Sequence, residues 1–517
     1  MRNIIMRTGV LLTIKRSLAL SARRLPSPSS VAPSEAIARR GRECLDFIDA
    51  SPTPYHCVDV VGARLAAAGF TRLDEAERWQ IKPGGLYYWT RHEGTIIAIA
   101  VGKKATPEKT AFKLLGGHTD SPVLKVRPVA ARADAAAKNK TTALEQVGVE
   151  CYGGGLWHTW LDRDLGVAGR VVVRRADGSF DQVLVRDDDA ICRVPTLCIH
   201  LQTADERKSL TVDKEKDLQP ILCSTAVAQL SGTDINSQEG EADAWRKKQP
   251  APLLQRVARA AGVDVDQIVD FDLTLFDVQK GSVGGAFGEF VLSSRLDDQA
   301  ACYVLTESLL AHVKHEAFAQ DEDVSVVALF DHEEIGSASA SGAGSPVLGD
   351  AVERVHKALR ANGAEDGLDD REALAVAMRR SMLLSVDQAH AVHPNYAHKH
   401  DGAHAPRMNH GLVIKTNTNQ RYTTDGVTGF LLRETARRAG LPAPQEFVVR
   451  NDCPCGSTIG PILAARWGIR AADVGLPQLS MHSIREMMGV HDITLSYEFF
   501  GAFLHDFRAL DDAFRKE

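Results

Sequence analysis

AFKLLGGHTD, residues 111–120, is an apolar run of strand length that ends in a histidine and an acid. A short continuous apolar run bounded by glycine and charge reads as a buried strand. The design recurs along the chain. FVLSSRLDD (290–298) ends at Asp297 and Asp298, DVSVVALFDHEE (323–334) at Glu333 and Glu334, and MLLSVDQAH (382–390) runs past Asp387 to His390. Near the C-terminus, His482 follows the apolar run around Val474. Helical spacing separates the runs, in AACYVLTESLLAHV (300–313) and in TDGVTGFLLRETARRAG (424–440), which Gly440 closes. Strands alternating with helices predict an α/β fold, a mixed, mostly parallel sheet flanked by helices. Sites in such sheets lie beyond the carboxyl ends of the strands.

The middle of the chain has another rhythm. RVVVRR (170–175), QVLVRD (182–187) and FDLTLFD (271–277) alternate like half-exposed strands. The α/β part is therefore expected as residues 35–125 and 286–517, interrupted by an inserted β-rich domain over 126–285. ARADAAAKNKTTALEQ (131–146) reads as a mobile loop and SQEGEADAWRKKQP (237–250) as a polar insert. No repeat is evident. Ser34 is the expected N-cap of the first helix, after a Pro/Ser-rich linker.

Composition narrows the function. Of 517 residues, 44% are hydrophobic and 25% charged, ordinary values for a globular protein. A net charge of -6 argues against a nucleic-acid partner. No run outside the N-terminus is long and apolar enough to span a bilayer. Nine scattered cysteines without a C-x-x-C pair argue against a zinc knuckle and suit a reducing compartment. Cys453 and Cys455 read as incidental thiols of a tight loop around Pro454. Residues 1–34 hold six Lys and Arg and no acid, the composition of an organelle transit peptide. A secretory signal or a disordered extension are the competing readings. The expected location is cytoplasmic, or mitochondrial or another organelle if the extension is a transit peptide.

Each strand-end acid alone reads equally well as a solvated loop side chain. Together they need a common cause, because unpaired carboxylates at one sheet edge raise one another's pKa. Divalent metal removes that conflict, and histidine with carboxylate suits zinc. Five ligands exceed what one open tetrahedral zinc requires. A bridging Asp297 resolves the count. His118 and Asp387 would complete one site, Glu334 and His482 the other, with the two ions about 3.5–4 Å apart sharing a hydroxide. Glu333, whose side chain diverges from that of Glu334, is left free as the general base. Asp120 is expected to accept the second ring N–H of His118.

At these residues the sequence resembles the aspartyl aminopeptidase family of metallopeptidases. GGHTDSPVLKVRP, SSRLDDQAACY, LFDHEEIGSASASGAGS, SVDQAHAVHPNY, VIKTNTNQRYTTDG, NDCPCGSTIGPILA and PQLSMHSIREMMG carry the likeness, which runs from about residue 36 to the end. The resemblance implies two zinc ions per subunit on His118, Asp297, Glu334, Asp387 and His482, with Glu333 as base. Manganese or cobalt could occupy one site. It implies that the inserted domain dimerises and that dimers build a dodecamer. It implies that His200, in IHLQ, reaches the neighbouring subunit's site. It also implies that His390, Lys415 and Tyr422 contact a substrate peptide beginning with Asp or Glu. The chain departs in having Asp298 where the family usually has Asn, and in apparent insertions at 131–146 and 233–248. Alternative functions are a broad aminopeptidase or deacylase of the same fold, or an assembled scaffold, cargo or chaperone particle.

Overall fold

The computed structural model describes residues 33–131, 141–230, 241–361, 363–364 and 366–514. The basic extension therefore lies outside the described residues apart from Pro33 and Ser34, as do positions 132–140 and 231–240 of the two polar stretches.

Nine strands form the main sheet, in the order Thr71–Arg72, Leu86–Arg91, Thr95–Val101, Val324–Phe330, Phe112–His118, Met382–Val386, Arg470–Gly475, Val413–Lys415, Gln445–Phe447. The four central strands, from Val324–Phe330 to Arg470–Gly475, are all parallel. Antiparallel pairs occur only towards the two sides, which makes the sheet mixed but mostly parallel. Both faces are covered, so the central strands are apolar throughout rather than alternating. In Val324–Phe330, Val327 and Leu329 pack into one core with Phe47, Tyr303, Phe500 and Phe503. Val326 and Ala328 point the other way, into a core with Val352, Val355 and Leu463. Helices Glu35–Ala50, Leu296–His312 and Val490–Phe514 thus close one face, and Val347–Arg360 and Ile459–Trp467 the other. The expected cap is present, Ser34 Oγ accepting from the N–H of Ile37 at 3.4 Å. Gly440 ends the helix Gly426–Ala439 at φ 67°, a left-handed backbone that glycine adopts without steric cost.

A second sheet of seven strands is antiparallel throughout and has its own core around Leu165, Val171, Leu254 and Leu273. It does not start where the sequence predicts. Val123–Val126 lies between Ile268–Asp277 and Val149–Tyr152 in this sheet, so the change of sheet falls only a few residues after His118. The Ala/Lys-rich stretch is not loop to its end either. Leu144–Gln146 is an edge strand paired with Ile221–Ser224, held by its ladder partner rather than by any apolar periodicity of its own.

A third, five-stranded sheet joins Ser282–Gly284, Phe290–Ser293, Glu486–Gly489, Pro477–Leu479 and Ala389–His390. The hairpin of its first two strands crosses the expected boundary at 285/286. Among the described residues, no helix is long and apolar enough to cross a membrane.

Candidate metal centre

Strand ends from two sheets meet in one place: His118, Glu334 and Asp387 follow parallel strands of the main sheet, whereas Asp297 and His482 follow strands of the third sheet. His118 ends its strand, and Asp387 follows Met382–Val386 directly. Glu333 and Glu334 lie in a single turn of 3-10 helix after Val324–Phe330, reached through His332 at φ 66°. Asp297 stands at the start of Leu296–His312 with non-helical angles, and its peptide bond to Asp298 is cis. His482 occupies a loop of the third sheet, also at φ 66°.

The side chains form two groups that share Asp297. His118 Nε2 is 3.3 Å from Asp297 Oδ1 and 3.7 Å from Asp387 Oδ1. His482 Nε2 is 3.4 Å from Asp297 Oδ2 and 3.3 Å from Glu334 Oε2. The two oxygens of one carboxylate thus face two different histidines. Among the described residues, Asp297 Oδ1 and Glu334 Oε1 are buried without a hydrogen-bond partner. Leaving such atoms unpaired is costly, and native proteins rarely do so without an ion or ligand.

The electrostatics point the same way. Burial pushes Glu333 up to about 8 and Glu334 to about 7, with neighbouring carboxylates adding to both. Burial also lifts Asp298 well above the ordinary range. Burial works against a charged His482, yet Asp297 and Glu334 raise it to about 12. These are acids crowded together without matching cations, and divalent ions would supply the missing charge. The donor set, histidine nitrogens with carboxylate oxygens whose ligand atoms lie within 4.8 Å of one another, fits zinc. Asp298, the departure from the family pattern, belongs to the same cluster. Its Oδ2 accepts from the N–H of His118 at 3.0 Å and its Oδ1 from Gln388 Nε2 at 3.0 Å.

Asp120 does not do what its spacing suggests. His118 Nδ1 faces the backbone carbonyl of Asp120 at 3.0 Å, while the carboxylate stands off at 3.6 Å. That carboxylate is taken by three other donors, the N–H groups of Glu333 and Glu334, each at 3.1 Å, and the hydroxyl of Tyr152 at 2.6 Å. Sequence reading missed Tyr152 and the carbonyl of Gly154, which His482 Nδ1 meets at 3.1 Å. Both come from the second sheet and its exit turn. It also missed Glu486, which accepts from the N–H of Asp297 and the N–H of His482. The spacing of four residues from His482 was the available signal, but the partners are main-chain groups that no side-chain pattern reveals.

Beside the cluster, Lys415 is only 2% exposed. Its Nζ donates to the carbonyl of Gln388 at 3.1 Å, lies 3.5 Å from Asp387 Oδ2, and stands 5.0 Å from the centre of the Tyr422 ring. His390 is exposed, with its ring edge-on to Phe447. His200 is not brought to this place. It lies exposed in the segment after Val194, among Leu197, Ile199 and Leu201, which are 50%, 59% and 71% exposed.

Comparison with known proteins places the chain among known relatives. Residues 47–504 match the family model described as aminopeptidase I zinc metalloprotease (M18). A probable aspartyl aminopeptidase of Ricinus communis is 44% identical over 486 residues, 91% of this chain and 96% of that protein. The aspartyl aminopeptidase of Aspergillus oryzae is 44% identical over 483 residues, 89% of this chain and 94% of its own. Among solved structures, an Ape4–Nbr1 complex superposes with a TM-score of 0.85 at 37% identity, covering 94% of this chain and 90% of that one. The mApe1 dodecamer of S. cerevisiae gives 0.78 at 30% identity, over 93% and 100%.

Proposed function

The chain belongs to the M18 family of zinc metalloproteases, and from that premise we propose an aminopeptidase that binds two zinc ions per subunit and removes N-terminal Asp or Glu from peptides. The observation that carries the zinc reading is the pair of half-sites sharing Asp297, with Asp297 Oδ1 and Glu334 Oε1 buried and unpartnered. His118 and Asp387 would hold one ion, Glu334 and His482 the other, and Asp297 both. A bound zinc pair supplies Lewis-acid polarisation of a carbonyl and a water acidified towards neutrality.

The remaining work falls to the chain. Glu333 lies beside His118 and Glu334, near enough to join a metal site, but the other five side chains already supply ligands for two ions, which leaves it for proton transfer. Its carboxylate takes a proton from the attacking water and passes it to the leaving amine nitrogen. Asp120 fixes the turn that carries Glu333 by gripping its main chain. Lys415 supports the acidic preference. Its buried ammonium lies 3.5 Å from Asp387 Oδ2, and if Asp387 holds a metal ion a substrate side-chain carboxylate would become its partner, with Tyr422 and His390 as further substrate contacts. The exposed apolar segment around His200 supports subunit contact, and with it a dimer-based particle such as the dodecamer of the S. cerevisiae relative. For location we propose the cytoplasm, or an organelle if residues 1–34 direct import.

The test is direct. The purified protein is assayed for zinc and for hydrolysis of Asp-, Glu-, Ala- and Leu-naphthylamides. Two zinc ions per subunit and preference for the acidic pair are expected. Equal rates on Ala and Leu would remove the acidic specificity. Mixing His200→Ala with Asp387→Ala subunits is expected to restore activity that neither has alone, and absence of rescue counts against a shared site.

A further inference from the structure

We propose that Glu486 is a positioning residue that sets the shared half of the metal site, holding Asp297 and His482 in place by their backbone N–H groups. The inference rests on the zinc reading above. Glu486 opens the strand Glu486–Gly489 and is buried, 4% exposed. Its Oε2 accepts from the N–H of Asp297 at 3.0 Å. Its Oε1 accepts from the N–H of His482 at 2.8 Å and from Gln478 Nε2 at 3.3 Å. No lysine or arginine pairs with it among the described residues.

The two residues it grips come from distant parts of the chain, and His482 has an uncommon backbone. Asp297 breaks the helical angles at φ -82°, ψ 110°, and His482 sits in the left-handed region at φ 66°. A histidine keeps such a conformation only where its surroundings over-determine it. The N–H bond from His482 to Glu486 is one such constraint, and the N–H of Leu156 on the carbonyl of His482 is another. Placing the two main chains also places the side chains, whose Asp297 Oδ2 and His482 Nε2 face each other at 3.4 Å.

The residue type follows from the geometry. Two N–H groups pointing in from different segments need two acceptor oxygens on one short planar group, which a carboxylate provides. A glutamine would turn an NH2 towards one of them. Asp120 offers the parallel case, since its two oxygens take the N–H groups of Glu333 and Glu334. Two buried carboxylates therefore hold the main chain of four site residues.

The test compares the full-length protein with Glu486→Gln and Glu486→Asp, the second keeping charge but withdrawing the oxygens. Each apoprotein is titrated with zinc against a chromophoric chelator, and kcat, KM and the melting temperature are measured in parallel. At least one zinc-binding step is expected to weaken by about 10–100-fold in both variants, with a comparable fall in kcat and little change in KM. Should the Gln variant not fold, the Asp variant carries the same measurement. Wild-type zinc affinity in a folded variant overturns the proposal, even if its melting temperature drops, because a merely structural role moves stability alone. Wild-type protein that binds no zinc would instead overturn the zinc reading itself.

Discussion

One strand, Phe112–His118, has buried charge at both ends, and the two ends are solved differently. At its start Lys113 is 2% exposed. Its Nζ donates to Asp321 Oδ2 at 2.7 Å, and His312 Nε2 meets the same oxygen at 3.0 Å. The neighbouring Asp323 pairs with Arg508. Each acid there has a cation belonging to the protein. At the other end His118 opens onto Asp297, Asp387, Glu333 and Glu334, where, among the described residues, Lys415 is the lysine or arginine that approaches a carboxylate. Burial cost is similar at both ends, so the difference lies in who supplies the positive charge. Where the chain supplies it, the acids are structural. Where it withholds it, the acids are arranged for an ion from outside.

Removing the ion is the sharpest way to test that contrast. Chelation is expected to abolish activity and to lower the melting temperature, with a stability loss of up to about 4 kcal/mol if zinc exceeds its dissociation constant a thousandfold. Restored zinc should reverse both effects, followed by calorimetry and by rate. Loss of activity without any change in melting would break the comparison. Glu333→Gln should lower kcat by at least about 100-fold while zinc content stays at the wild-type value. At the other end, Lys113→Met leaves Asp321 buried with His312 alone. A loss of about 3–5 kcal/mol in chemical denaturation is expected, with zinc content unchanged. If Lys113→Met empties the metal site, the two ends are not independent. Lys415→Met should raise KM for Asp and Glu substrates by about tenfold or more and leave Ala substrates little affected.

The smallest effect is a pH dependence. Burial alone would raise Asp321, but the His312 hydrogen bond and the Lys113 charge outweigh it and bring it to about 2, from 3.8. Its folded value is depressed, so its contribution is complete above about pH 4 and is lost as pH falls through about 2. That amounts to roughly 2 kcal/mol. Acid unfolding of Asp321→Asn, compared with wild type between pH 2 and 5, should lack this increment.

How much of this was legible in the sequence depends on the kind of group involved. The convergence of His118, Glu334 and Asp387 is legible because parallel strands of the main sheet end at or just before them, whereas Asp297 and His482 follow strands of the third sheet, whose place beside those ends no local pattern gives. The α/β sheet followed from the same runs. Lys113 sits inside such a run and so demands an acid, but its partner lies two hundred residues away and nothing local names it. The Asp120 carboxylate takes three donors that are far away in sequence, so spacing from His118 alone cannot name them. Val123–Val126, inside the expected first α/β segment, pairs instead in the second sheet, because its ladder partners Ile268–Asp277 and Val149–Tyr152 decide its place and neither is local in sequence. His200 was reached through family likeness alone, and in a single chain it has no site to join.

The short segment from Tyr152 to Thr159 has a consequence for how this protein can be taken apart. Tyr152 bonds Asp120, the carbonyl of Gly154 meets His482, the N–H of Leu156 reaches the carbonyl of His482, and Thr159 Oγ1 accepts from the N–H of Ile484. The inserted sheet is therefore no detachable accessory. Splicing it out with a short linker would leave one continuous α/β stretch with His118, Asp297, Glu334, Asp387 and His482 all present, yet it would strip the lining from one wall of the cluster. The reactive centre is a seam between two modules, so neither can be exchanged for a homologous part without matching the stitches on the other side.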